Sequence, residues 1–351
     1  MQNPFTTTFS KIPEFTYIHT EKTEEILDSF QYDHPSESVY KITGVRGSGK
    51  TVILAKVEEE LRKYKDWIIF DINPTRNILQ QLAAMLVKAG FGPKGKETTG
   101  INISANVLGT GAGFGYSAQK NTDFFDIGIE VENMLQNVQK ENQKVLIGID
   151  EVSRSDEMIQ FASEYGKWLR ANYPVYLVCT GLYENIQELS NVKNLTFFRR
   201  ATTIKTEPLS TIRMSEMYKT KLNVPSHVAQ DMAKATKGYA YAFQELGVLC
   251  FKKKEETSEE ILSQLKAELF AYSYEKIWEK MTEMDRYLAS VLIDKEEYKR
   301  EEVLVLMKDK AKNYSVYRDR LLKRGILHSR QGYIGFSLPF FADYIKEYCL
   351  E

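Results

Sequence analysis

The run "SVYKITGVRGSGKTVILAKVEEELRKY" (38–64) decides how the chain folds. It opens as an apolar strand and passes through Gly44, Val45, Arg46, Gly47, Ser48 and Gly49. From Lys50, Thr51 and Val52 it continues into an amphipathic helical pattern. Gly, four residues, then Gly-Lys-Thr is the spacing of a phosphate-binding loop, and a strand before and a helix after are the context that loop requires. Glycines let backbone N–H groups turn inward as an anion nest, and the helix N-terminus adds partial positive charge. Lys50 is therefore expected to reach the β- and γ-phosphates of ATP, and the Thr51 hydroxyl to ligate Mg²⁺. The competing reading is a glycine-rich strand–helix turn that binds nothing.

Downstream, "KVLIGID" (144–150) reads as a buried strand ending on Asp150. A carboxylate there is costly unless it serves a cation, so Asp150 is expected to hold Mg²⁺ with Thr51, directly or through water. Glu151 follows, where it would polarise a water for in-line attack on the γ-phosphate. The Asp-Glu pair points to hydrolysis and away from transfer to a small metabolite; otherwise it is an exposed turn after a core strand. "PVYLVCTG" (174–181) delivers Thr180 to the same sheet edge. Thr180 either holds the attacking water and reports the γ-phosphate, or is a strand-end turn residue. In "NLTFFRRATTIKTEPLS" (194–210), Arg199 or Arg200 either reaches a neighbouring subunit's γ-phosphate as an arginine finger, implying a homo-oligomer, or belongs to a solvated pair.

Apolar runs alternating with helical patterns over the first half predict an α/β fold with a parallel sheet covered by helices. "DWIIFDI" (66–72) is another strand, and "RNILQQLAAMLVKAG" (76–90) and "EMIQFASEYGKWLRANY" (157–173) are helices. "INISANVLGTGAGFGYSAQ" (101–119) reads as an inserted β-hairpin, since its glycines do not open a helix as a dinucleotide fingerprint would. It is either a pore, partner or DNA contact or a passive insertion. From about residue 211 the strands stop and successive helices follow, punctuated by Pro225 and Gly238. The predicted domains are 1–210, 211–280 and 281–351.

The last of these reads helix, helix, helix, hairpin, helix, which predicts a winged helix-turn-helix. "NYSVYRDRLLKRGIL" (313–327) is its third helix, with Val316, Leu321, Leu322 and Ile326 expected to face inward and Gly325 to stop it. Between Lys308 and Arg330 stand eight basic residues against two acidic ones, in a chain of net charge −1. Such a concentration is the footprint of phosphate contact. Tyr314, Tyr317, Arg318, Arg320, Lys323, Arg324 and Arg330 are the candidates for contact with double-stranded DNA. Equally, winged helices serve as protein-contact modules, and a basic helix end complements the helix dipole.

Composition bounds the rest. Hydrophobic residues are 43% and charged residues 27% of the 351, ordinary for a globular chain of two or three domains. Three scattered cysteines and four scattered histidines form neither a disulfide framework nor a metal spacing. No apolar run is long enough for a membrane span, and the N-terminus does not read as a signal peptide. A cytoplasmic protein is expected.

Taken together, "GVRGSGKT", "LIGIDEV", "VCTG", "FFRRATTIKTEPLS" and "TKGYAYAFQELG" resemble the AAA+/STAND P-loop ATPases. More narrowly they resemble the archaeal-type ATPases with a C-terminal winged helix, relatives of the origin initiators. The resemblance runs from about residue 15 to the end and implies an AAA+ core, a helical lid and a winged helix, with ATP, ADP and Mg²⁺ as ligands. In the place of the family's adenine-seating Gly-Arg-Glu box stands "FTYIHTEKTEEILDSF", where Tyr17 and Ile18 are the base-contact candidates. The lid stretch "GYAYAFQELG" has no sensor-2 arginine and has Ala240 where STAND relatives place proline. The resemblance implies ATP hydrolysis, and this departure from the family pattern points to slow turnover and a nucleotide-gated switch.

Overall fold

The structure is a computed structural model that describes residues 2–8, 11–32, 35, 37–92, 126–193, 195–254 and 257–350. The expected hairpin at 101–119 lies outside these residues. Five strands, β1 (Val39–Thr43), β2 (Trp67–Ile72), β3 (Lys144–Ile149), β4 (Val175–Gly181) and β5 (Thr202–Lys205), form one parallel sheet in the order β2-β3-β4-β1-β5. β4 is buried along its whole length, and β3 is buried at every position after Lys144. Both are apolar runs because helices cover both sheet faces.

Successive side chains of a strand point to opposite faces. Val145, Ile147 and Ile149 enter one core with Leu82, Phe161 and Trp168, supplied by helices Ile78–Lys88 and Asp156–Arg170. Leu146 enters the other, with Ile26, Phe30, Val57 and Leu61 from helices Glu21–Gln31 and Lys50–Leu61. In the sheet, Thr43 stands opposite Gly181 and Lys205, and Ile149 opposite Cys179. The C-terminal ends of β1, β3 and β4 are thereby gathered at one edge, where the strand order reverses and an open α/β sheet leaves a crevice.

Beyond β5 the chain is helical through Thr211–Leu222, Ser226–Ala235, Ala240–Lys253 and Glu259–Leu269. A π-helical turn, Phe270–Tyr274, leads into Glu275–Glu279. Helices Glu283–Ser290, Arg300–Met307, Tyr314–Arg324 and Phe341–Tyr348 then surround an antiparallel sheet of β6 (Glu297–Lys299), β7 (Leu327–Arg330) and β8 (Tyr333–Phe336), ordered β6-β8-β7. β7 and β8 are the expected wing hairpin; β6 was not expected, because of its three residues only Tyr298 is buried. One apolar cluster runs through both helical parts, from Met214 and Phe243 to Leu321 and Phe341, and includes Phe5 from the N-terminal segment. Leu321 and Ile326 do face inward, at 0% and 1% exposure, whereas Val316 is 60% exposed and faces solvent, correcting its assignment. No described helix is long and apolar enough to cross a membrane.

Candidate functional site

The loop between β1 and helix Lys50–Leu61 sits at the gathered edge. Gly47 and Gly49 adopt φ of +73° and +91°, left-handed values that glycine takes without penalty. At Gly47 space is also short, because an added Cβ would lie 2.4 Å from Tyr239 Oη. Ser48 Oγ accepts from Thr206 Oγ1 at 2.8 Å, fixing the loop to the chain that leaves β5. Lys50, 9% exposed, donates to the carbonyls of Gly44 (3.1 Å) and Val45 (2.9 Å). Burial pushes its ammonium down to about 8, against the opposing pull of Asp150 and Glu151. A phosphate brought beside it would raise it again.

Asp150, just beyond β3, is the hub of the polar network. Thr51 Oγ1 donates to its carboxylate at 2.9 and 3.1 Å, and Thr180 Oγ1 donates to Asp150 Oδ1 as well. Thr180 also accepts from the Glu151 N–H at 3.1 Å, and its carbonyl accepts from Val152 N–H at 2.8 Å. Thr180 is 0% exposed and its single O–H is committed to Asp150, which corrects the expectation that it holds a water. It orients Asp150 and Glu151 instead. Glu151 is held at φ +54°, uncommon for glutamate, with its side chain exposed on the cavity wall. Mg²⁺ takes oxygen ligands and keeps few from protein when phosphates supply the others. The adjacent Thr51 hydroxyl and Asp150 carboxylate fit that requirement.

A cavity of about 860 Å³ opens beside these groups, lined by residues 44–53, Glu151 and Gly181–Asn185. Its far wall comes from the helical segment. Tyr241 N–H donates to Gly47 O at 3.1 Å, and Tyr239 Oη donates to Arg46 O at 2.6 Å. Tyr241 stacks on Tyr272 with ring centroids 4.1 Å apart, and the Arg46 guanidinium lies 4.9 Å from the Tyr272 ring. Tyr17 and Ile18 line the same cavity, the first half-buried and the second 6% exposed. Sequence reasoning missed Tyr239, Tyr241 and Tyr272; the dense aromatic spellings "GYAYA" (238–242) and "FAYSY" (270–274) were the available signals.

Arg199 and Arg200 end the short helix Thr196–Arg200, are exposed, and make no ion pair among the described residues. The DNA-contact candidates divide. Tyr314 is 3% exposed and Arg324 7% exposed, which corrects both. Arg324 pairs with Glu184 of the sheet domain, and Arg320 with the fully buried Asp285 at 2.6 Å. Each thereby anchors the helix. Lys323 is exposed and pairs with Asp319 at 2.7 Å. Arg318 donates to Ser329 Oγ at 3.0 Å, Tyr317 is half-buried, and Arg330 is exposed. Between this helix and the wing lies a cleft of about 630 Å³ lined by Arg318, Gln331 and Tyr333, together with Lys299 and Arg300. These last two fall outside the basic stretch read from sequence.

A comparison with curated proteins finds none that matches the chain. A family profile described as a domain of unknown function (DUF8462) matches residues 267–345. Among solved structures, the Walker-type ATPase PABY2304 of Pyrococcus abyssi aligns with 95% of this chain and 97% of its own, with a TM-score of 0.61 at 13% identity. The ORC2 protein of Aeropyrum pernix, in its ADPNP–ADP complexes, aligns with 93% of this chain and 92% of its own, with a TM-score of 0.54 at 12% identity. The chain thus shares the fold of these two structures, a parallel α/β core followed by helices and a C-terminal winged helix.

Proposed function

We propose that the chain binds and slowly hydrolyses ATP with Mg²⁺, and that its nucleotide state controls a winged helix that binds double-stranded DNA. The convergence of Thr51, Thr180 and Glu151 N–H on one Asp150 network, beside Lys50, carries the reading. In this account residues 44–52 wrap the phosphates, and Lys50 leaves the Gly44 and Val45 carbonyls for the β- and γ-phosphates. Thr51 and Asp150 would hold Mg²⁺, which when bound would supply positive charge for the phosphate oxygens. Glu151 accepts a proton from the attacking water, and Thr180 keeps Glu151 and Asp150 in register. Arg199 or Arg200 completes the site of a neighbouring copy in a homo-oligomer. We assign 1–210 to the core, 211–280 to the lid and 281–351 to the winged helix, working in the cytoplasm.

The proposed DNA face consists of Arg318 and Arg330, joined by Lys299 and Arg300 from the cleft. Fluorescence anisotropy with a random-sequence duplex, with ATP or ADP and across a salt series, tests it. Affinity should fall steeply with salt, and Arg318→Glu with Arg330→Glu should flatten the slope. No binding by folded, ATP-binding protein in either state would refute the DNA reading.

A second reading, a STAND-like switch whose winged helix contacts protein, is favoured by one observation. Val305 (76% exposed), Leu306 (43%) and Val316 (60%) leave apolar surface on two winged-helix helices.

A further inference from the structure

We infer that Arg324, the last residue of helix Tyr314–Arg324, is a phosphate-contacting residue of the nucleotide site and makes that site prefer ATP to ADP. The inference rests on the ATP-binding reading; the lid's Arg213 lines the same cavity but donates to the His19 carbonyl at 2.8 Å.

Arg324 belongs to the winged helix yet lines the same cavity as Lys50, Thr51 and Glu151. It is 7% exposed. Its guanidinium pairs with Glu184, lies 3.8 Å from Asp285 Oδ2 and donates to the Lys280 carbonyl at 3.4 Å. The residue after it lies close to the phosphate loop: a Cβ added to Gly325 would stand 3.7 Å from Val45 Cγ1. Lys205 at the end of β5 clamps the same helix end by donating to Leu322 O. The helix therefore presents its C-terminus to the cavity. Helix C-termini carry partial negative charge, which by itself would repel a phosphate. Arg324 at this position opposes that charge once its guanidinium is freed from Glu184.

The other cations on that wall are differently placed. Arg46 lies over the Tyr272 ring, and Lys276 pairs with Glu279 at 3.1 Å. Lys280 is exposed. Glu184 follows β4 directly and is the rival ligand of Arg324. Guanidinium pairs with carboxylate and with phosphate through the same planar geometry, so a γ-phosphate can take the group from Glu184. ADP lacks that phosphate and leaves the pair in place. ATP therefore draws the winged helix onto the loop that binds it, and loss of the γ-phosphate loosens it.

Calorimetric titration of the full chain with Mg²⁺ and either ADP or a non-hydrolysable ATP analogue tests this. Arg324→Ala should weaken the analogue about tenfold and ADP less than about twofold, since the selective contact is worth about one factor of ten. Arg324→Lys should recover part of the loss. Glu184→Gln, which removes the rival, should strengthen the analogue and leave ADP alone, a sign that mere destabilisation would not give. If Arg324→Ala weakens both nucleotides equally, or neither, while Lys50→Ala abolishes both, the inference is overturned and the nucleotide site stands. If Lys50→Ala leaves both unchanged, the site itself is wrong. Should Arg324→Ala fail to fold, Glu184→Gln decides, and an unchanged analogue-to-ADP ratio overturns the inference.

Discussion

Replacing Gly47 by alanine probes the seam between the phosphate loop and the helical segment. Gly47 has φ +73°, and its new methyl would stand 2.4 Å from Tyr239 Oη and 3.1 Å from the ring carbon bearing it. Tyr239 is 5% exposed, donates to Arg46 O at 2.6 Å and shares a hydrogen bond with Ser273 at 2.9 Å. The substitution adds left-handed strain of about 1 kcal/mol and displaces a hydroxyl whose two hydrogen bonds are each worth about 1 kcal/mol. A loss of about 3 kcal/mol is expected in urea unfolding followed by tryptophan fluorescence. Tyr239→Phe alone should cost about 2 kcal/mol through the same lost bonds. The double variant should be less destabilised than the sum by at least about 1 kcal/mol, because the methyl no longer meets an oxygen. Additivity within about 0.5 kcal/mol would refute the contact.

Other outcomes follow from the same geometry. Nucleotide affinity should be level below pH 8 and decline above it, about tenfold per unit at steepest, because Lys50 loses its proton near 8 when no phosphate holds it. Isothermal titration across pH 7 to 10 reads this. An unfolded lysine keeps its proton to 10.5, so ligand-free stability should rise with pH between about 8 and 10.5 from this group. Arg320→Ala removes the charge-assisted bonds to the Asp285 carboxylate, which is 0% exposed and among the described residues keeps only Arg324 at 3.8 Å and the Thr282 N–H, and should cost about 2–3 kcal/mol in unfolding free energy while leaving the salt slope of DNA binding unaltered. Phe5→Ala should cost about 3 kcal/mol, since the ring is 2% exposed and packs on Tyr218 and Phe243. A thermal melt checks this, and a shift within error would place Phe5 outside the core.

Strands β1 to β4 were legible because strands buried in a parallel sheet read as apolar runs, and because the glycine loop and the Asp-Glu pair carry their chemistry in fixed spacing. Edge strand β5, where only Ile204 is buried, gives no such run. β6 was not legible either, since its exposed Glu297 and Lys299 flank a single buried tyrosine. The helix Tyr314–Arg324 shows where reading by charge fails. Arg324 looks solvated from its neighbours, yet its partner Glu184 is far off in sequence and only the folded chain brings the two together. The apolar spacing that assigned Val316 inward overlooked Tyr314, which fills that side at 3% exposure. Thr180 was placed at the right edge, but only the three-dimensional network shows that its one proton goes to Asp150. The tyrosines behind the loop were hidden because stacking between Tyr241 and Tyr272 joins two separate helical turns.

The most direct test of the central claim is phosphate release with Mg²⁺-ATP, measured beside nucleotide binding for the wild type, Lys50→Ala and Glu151→Gln. Slow turnover is expected in the wild type, and neither binding nor turnover in Lys50→Ala. Glu151→Gln should bind ATP normally and turn over at least about a hundredfold more slowly, the usual scale for losing a general base. Wild-type turnover in Glu151→Gln, or unchanged ATP affinity in Lys50→Ala, would contradict that claim.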